Sequence, residues 1–193
     1  MKQRHSHKAG FSLLKSSKIA LAISLILGRS TLGIAAPVGG SVTSGSANIV
    51  QSGDVTNINQ STNKASINWQ SFGISQNEIT RFIQQNGQSA VLNRVIGQDP
   101  SQIMGQLISN GRVFLINPNG IVFGANSIVD TQGLIASSLN LSDNGFLTGN
   151  YHFVAGSSAG NILNEGIIRA GKDGNIVLIA PNIENSGIIQ TDG

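Results

Sequence analysis

The tightest constraint on this chain is a repeat. "ILNEGIIRAG" from Ile162 and "IENSGIIQTDG" from Ile183 align at an offset of 21. Asn164 falls on Asn185, Gly166 on Gly187, Ile167 on Ile188 and Ile168 on Ile189. "DGNIVLIAPN" (Asp173 to Asn182) aligns with "NGRVFLINPN" (Asn110 to Asn119) at 63, three times 21. Self-similarity at such a period signals a stacked architecture. The repeated runs are short, β-branched and bounded by Gly and Asn: "VFLI", "GIVFG", "GIIRAG", "NIVLIA", "GIIQ". Such runs read as strands. They mostly do not alternate, so both faces are expected to be covered, as in parallel sheets. An ordinary parallel sheet needs crossovers of about a dozen residues or more, and this period leaves no room for them. It fits one coil of a parallel β-helix, whose backbone bonds go to the coils on either side. The expected class is all-β.

"FLINPNGIVFG", Phe114 to Gly124, places Asn-Pro-Asn-Gly between two apolar runs. Asn117 at position i, Pro118 at i+1 and Gly120 at i+3 suit a type I turn. The in-phase "APN" at Ala180 to Asn182 favours a corner between strands of successive faces over a hairpin loop. Pro118 has no N–H to give a ladder, so it belongs at a corner or edge. "QDPSQIMGQLISNG" predicts one short helix, with Asp99 as N-cap, Pro100 at the first helical position and Gly111 as a stop. Residues 46–75 carry strand-like pieces off the later period, which suits an N-terminal cap over the open end of a stack.

The first residues are read as a leader. Lys2, Arg4, Lys8, Lys15 and Lys18 precede the apolar run Ile19 to Leu27, and "LGIAAP" follows with small residues. That order is a secretory signal peptide over 1–35, cut between Ala35 and Ala36. The apolar run is short of the roughly 20 residues a membrane span needs. Six of the twelve Lys and Arg lie before residue 36 and all nine acids after it, leaving the mature chain at −3. The basic character of the whole chain belongs to the leader, and no nucleic-acid partner is expected. The remainder, 36–193, is expected to be one domain, with the cap and first coils to about residue 100 and further coils over 101–193. It has no cysteine.

Catalytic chemistry finds no footing. Cleavage of polysaccharides needs convergent acids, and the nine acids are scattered, apart from Asp173 and Asp192 at near coil spacing. His152 is the single histidine after the leader, and metal sites need clusters. No catalytic residue, metal ligand or cofactor is expected, and the chain reads as a non-enzyme. The alternative is a carbohydrate-binding or polysaccharide-cleaving β-helix acting on its own. It would need a groove with clustered acids or stacked aromatics, and the chain has only nine aromatics.

The ordered segments resemble a known family. "INWQSFGI" (Ile67 to Ile74), "AVLNRVIG" (Ala90 to Gly97) and "SQIMGQLISNGRVFLINPNGIVFG" (Ser101 to Gly124) come first. "GLIASSLNLSDNGFLTGNYHF" from Gly133 and "GNIVLIAPNIENSG" follow. This series is similar to the N-terminal secretion domain of filamentous-haemagglutinin-like exoproteins, the cargo of two-partner secretion in Gram-negative bacteria. The resemblance implies a right-handed parallel β-helix with an N-terminal cap. It implies a non-enzymatic targeting domain of a surface or secreted adhesin, exported by the Sec translocon and trimmed by signal peptidase. Periplasmic (POTRA) modules of an outer-membrane barrel would then recognise it, and it would fold outside the cell. The family's Asn-Pro-Asn-Gly-Ile motif corresponds to Asn117, Pro118, Asn119, Gly120 and Ile121, and its Asn-Arg-Val motif to Asn93, Arg94 and Val95. These are the expected secretion-motif residues. An Asn-Pro-Asn-Leu motif carried by some members is absent, which resembles the large-adhesin branch. The sequence stops at "GIIQTDG" in mid-repeat, so a fragment or a truncated gene is expected, with contacts to host glycans or receptors in a missing C-terminal region.

Overall fold

Breaks rich in Gly and Asn turn the chain at corners, and the β-branched runs between them form strands. The computed structural model describes residues 36–157 and 159–192. The leader, with Ala35 and the expected cut, lies outside the described residues, of which Ala36 is the first. Two strands open the chain, β1 (Ser41–Ser44) and β2 (Ala47–Ser52). The first coil holds β3 (Val55–Gln60) and β4 (Lys64–Trp69), and the second β5 (Ile79–Ile83) and β6 (Ala90–Val95). The third holds β7 (Ser101–Ile103), β8 (Gln106–Ser109) and β9 (Arg112–Ile116), and the fourth β10 (Ile121–Phe123), β11 (Ile128–Thr131) and β12 (Gly133–Ser137). An excursion then leaves the stack as β13 (Asn140–Leu141), helix α1 (Asp143–Thr148) and β14 (Phe153–Val154). The chain returns for a fifth coil, β15 (Ile162–Asn164), β16 (Ile167–Ala170) and β17 (Ile176–Ile179), and a sixth, β18 (Ile183–Asn185) and β19 (Ile188–Thr191).

Three sheets run along the stack, in the orders β1-β4-β6-β9-β12-β17, β7-β10-β15-β18 and β2-β3-β5-β8-β11-β16-β19. Pairing between coils is parallel throughout. The chain is thus an all-β parallel β-helix of about six turns. The 21-residue offset is one coil: Ile162 pairs with Ile183 and Ile167 with Ile188. Asn164 donates its side-chain amide to Asn185 at 2.7 Å, so the repeated asparagines stack. The offset of 63 has another origin than three coils. Val113 pairs with Leu134 and Leu134 with Ile176, so Val113 and Ile176 lie two coils apart. The excursion supplies the remaining coil's length of chain.

Inward side chains form one core, including Ile67, Trp69, Val91, Leu107, Leu115, Phe123 and Ile168. A second cluster lies outside the stack. There Ala90, Leu92, Phe114 and Ile116, on the outer face of β6 and β9, meet Leu141 and Phe146 of the excursion. This sheet is buried on both faces, which explains why "AVLN" and "VFLI" do not alternate.

The cap reverses the chain. β1 pairs antiparallel with β4, and β2 antiparallel with β3. Only part of the expected 46–75 cap therefore caps; Val55–Trp69 already winds. Trp69 sits beneath the cap, edge-on to Phe72 at 5.5 Å between ring centroids, close against Gly40.

The helix expected from Asp99 to Gly111 is a correction. That segment is β7 and β8, and the short helix among the described residues is α1. Ile103 and Leu107 do share a direction, as helical spacing requires, but they point into the core from two strands joined at a corner. Gly105 packs there directly on the backbone of Ser75 and Glu78, where a side chain has no room. The ladders to β10, β5 and β11 satisfy the backbone groups that a helix would have satisfied within itself. Leu107→Ala is expected to cost about 2–5 kcal/mol, because Leu107 is fully buried. Ile188→Ala, at an exposed position, is expected to stay within about 0.5 kcal/mol. Urea unfolding of the two variants measures both.

Candidate functional site

The Asn117–Ile121 segment forms the corner between β9 and β10. Gly120 N–H donates to Asn117 C=O at 3.0 Å, closing the turn. Gly120 has φ +107°, and a side chain on it would crowd Asn161 C=O at 2.8 Å, so glycine is required. The Asn117 side chain is wholly buried. Its Oδ1 accepts from Asn119 N–H at 2.9 Å. Its Nδ2 donates to Asp99 C=O and to Ser101 Oγ, each at 3.0 Å. Asn119 is exposed and donates to Gly97 C=O at 2.9 Å. On the other side Pro118 C=O accepts from Gly160 N–H at 2.7 Å. Ile121 is fully buried. The corner thus holds three coils in register.

Asn93, Arg94 and Val95 end β6, one coil earlier. Asn93 points inward and is fully buried. Its Oδ1 accepts from Trp69 Nε1 at 3.0 Å, and its Nδ2 donates to Phe114 C=O at 3.3 Å. Val95 joins the core. Arg94 points outward. Its guanidinium meets Asp143 Oδ1 at 2.7 Å and also donates to Leu141 C=O and to Asn68 Oδ1. Asn93 pairs with Leu115 and Arg94 with Ile116, immediately before the Asn117 corner. The two motifs therefore form one continuous region, most of it facing inward.

Sequence reasoning missed Arg94's partners. Asp143 is the first residue of α1. Ser142 caps that helix by accepting Gly145 N–H at 3.0 Å, and Gly149 ends it at φ 81°. The signal was present as "SDNGFLTG", Ser before and Gly after a short apolar turn. It also missed a buried polar stack, in which Gln84 Nε2 donates to Gln60 Oε1 at 2.9 Å and Ser109 Oγ donates to Gln84 Oε1 at 2.7 Å. Among the described residues no three His, Cys, Asp or Glu side chains gather. His152 lines an open depression beside Arg94 and Asp143.

A family model described as the TPS secretion domain matches residues 34–193. The chain belongs to the TPS secretion-domain family. The crystal structure of the HMW1 secretion domain from Haemophilus influenzae is similar, with TM-score 0.79 and 42% identity over 81% of this chain and 42% of that one. Two heme/hemopexin-binding proteins of Haemophilus influenzae are related in sequence. One, from strain Rd, is 39% identical over 140 residues, covering 70% of this chain and 15% of the relative. The other is 36% identical over 114 residues, covering 59% and 12%. The chain spans about an eighth to a seventh of the length of these curated relatives. TPS exoproteins are secreted through the outer membrane, and their secretion domain is a targeting domain rather than a catalytic one. In this TPS domain Asn117→Ala strips partners from Asp99, Ser101 and Asn119 at once. A loss of about 1–3 kcal/mol is expected in urea unfolding. Asn119→Ala loses the bonds to Gly97 C=O and Asn117 Oδ1 at an exposed residue whose N–H to Asn117 remains, and should cost less than about 1 kcal/mol.

Proposed function

We propose that this chain is the secretion-targeting part of a surface or secreted exoprotein. The periplasmic modules of a partner outer-membrane barrel read it, and it winds into its β-helix outside the cell. The observation that carries this reading is the TPS match across residues 34–193. The leader delivers the chain to the Sec translocon and is removed between Ala35 and Ala36. Winding then supplies direction without nucleotide. Each added coil buries several Ile, Leu, Val or Phe side chains, at about 1.5–3 kcal/mol each, and a wound coil does not slide back through a narrow pore.

Asn93, Val95, Asn117, Gly120 and Ile121 are buried once the coils are wound. A partner that reads those side chains meets them before winding. After winding they act as corner and core, so the motifs serve secretion mainly through folding, with Arg94, Pro118 and Asn119 as the members that keep some exposure. The passenger is an adhesin-like region that engages host glycans or receptors, following the family resemblance. The names of the two Haemophilus relatives favour a second reading, a passenger that binds heme or hemopexin.

Two export measurements test this. Deleting the partner barrel should abolish extracellular product and leave the chain in the periplasm; undiminished extracellular protein would overturn the reading. Asn117→Ala should export poorly, and a stabilising second substitution elsewhere in the core should restore export. If export stays lost after stability is restored, direct reading of Asn117 replaces the folding role.

A further inference from the structure

In a stack of coils each coil touches its neighbours, and stability is close to a sum of nearest-neighbour terms. The excursion between the fourth and fifth coils departs from that rule. Its α1 and flanking strands lie across the outer face of the β1-β4-β6-β9-β12 sheet and touch every one of those strands. On β1, Thr43 Oγ1 donates to Asp143 Oδ2 at 3.0 Å, across 100 residues of chain. On β4, Lys64 Nζ donates to Phe146 C=O at 2.8 Å and Leu147 C=O at 2.9 Å, where a cation suits a helix C-terminus. Lys64 Nζ also lies 5.4 Å from the centre of the Phe146 ring. On β6, Arg94 holds Asp143 and Leu141. On β9, Phe114 stacks edge-on against Phe146 and Tyr151, each at 5.1 Å. On β12, Ile135 packs against the same cluster.

We propose that residues 140–154 are a latch. It closes last over the wound sheet and joins the cap and first four coils into one cooperative unit, and so governs how fast the domain unwinds. The order follows from topology. The latch's seat consists of Leu92, Phe114 and Ile116 with Lys64 and Arg94, drawn from β4, β6 and β9, and it exists only when those strands are side by side. The burial of Leu141 and Phe146, both within 1% of full, supplies most of the hold. The Arg94–Asp143 pair is partly exposed and contributes mainly register, because exposed ion pairs are weak. The excursion is also nearly a removable unit. Ser101 pairs with Ile121, 20 positions on, whereas Ile121 pairs with Ile162, 41 positions on. Taking out residues 140–157 returns that interval to about one coil.

The test is kinetic and uses the purified chain, so it stands apart from the export reading. Contacts formed after the folding barrier change unfolding and leave folding nearly untouched. Phe146→Ala, which removes the larger of the two buried side chains, and separately the excision of 140–157, should each accelerate unfolding in urea by at least about tenfold, with refolding within about twofold of the parent. Hydrogen exchange should agree. The amides of β4, β6 and β9 share one opening in the parent, and in the variants they spread into a graded series from the ends inward. Unfolding within about twofold of the parent in both variants would overturn the latch, as would refolding slowed as much as unfolding is quickened. Exchange that keeps a single shared opening after excision would overturn it too.

Discussion

Everything in this molecule depends on the backbone ladder between successive coils. A strand of three to six residues has too few partners to stand alone. Its N–H and C=O groups are satisfied only when the coils before and after it lie in register. That requirement fixes the register of each strand, because a strand slipped by one residue against its neighbour would turn its apolar set outward. The corners absorb small differences in coil length, 20 positions from Ser101 to Ile121 and 22 from Gln106 to Ile128. The same requirement makes the corners as important as the strands. The Asn117 side chain binds the carbonyl of Asp99 on the preceding coil and the amide of its own turn. It does for a corner what the ladder does for a face.

The same requirement decides which polar groups go inside. Asn93, Asn117, Asn164, Gln60 and Gln84 are buried, and each finds a partner one coil away. A buried amide without a partner would cost more than the bond returns. Stacking like on like at the coil repeat is the simplest way to supply one. Asn93 and Asn117 are therefore places where a side chain replaces a backbone group in holding neighbouring coils.

Much of this was legible in the residues. The offset of Asn164 from Asn185 marked one coil, and the Asn-Pro-Asn-Gly run marked a corner, because both signals are local and repeat in phase. The errors came where a local signal had two readings. Asp99, Pro100, Ile103 and Leu107 satisfy helical spacing, and they satisfy two short strands bent at Gly105 equally well. Only the neighbouring coils decide between them. The offset of 63 misled because an excursion of nearly one coil's length preserved the phase while leaving the stack. Arg94's role was not legible at all. Its partners, Asp143 and Leu141, lie 49 and 47 residues away, and nothing in the local sequence points that far.

The reversed strands at the start of the stack have an effect beyond covering Trp69. A parallel ladder and an antiparallel one offer their donors and acceptors in different patterns. A coil from another molecule, arriving at β2, would meet a strand running against the direction of every coil behind it. Head-to-tail polymerisation through this face is thereby disfavoured. The stack acquires a polarity, with reversed strands at one pole and parallel edges, β18 and β19, at the other.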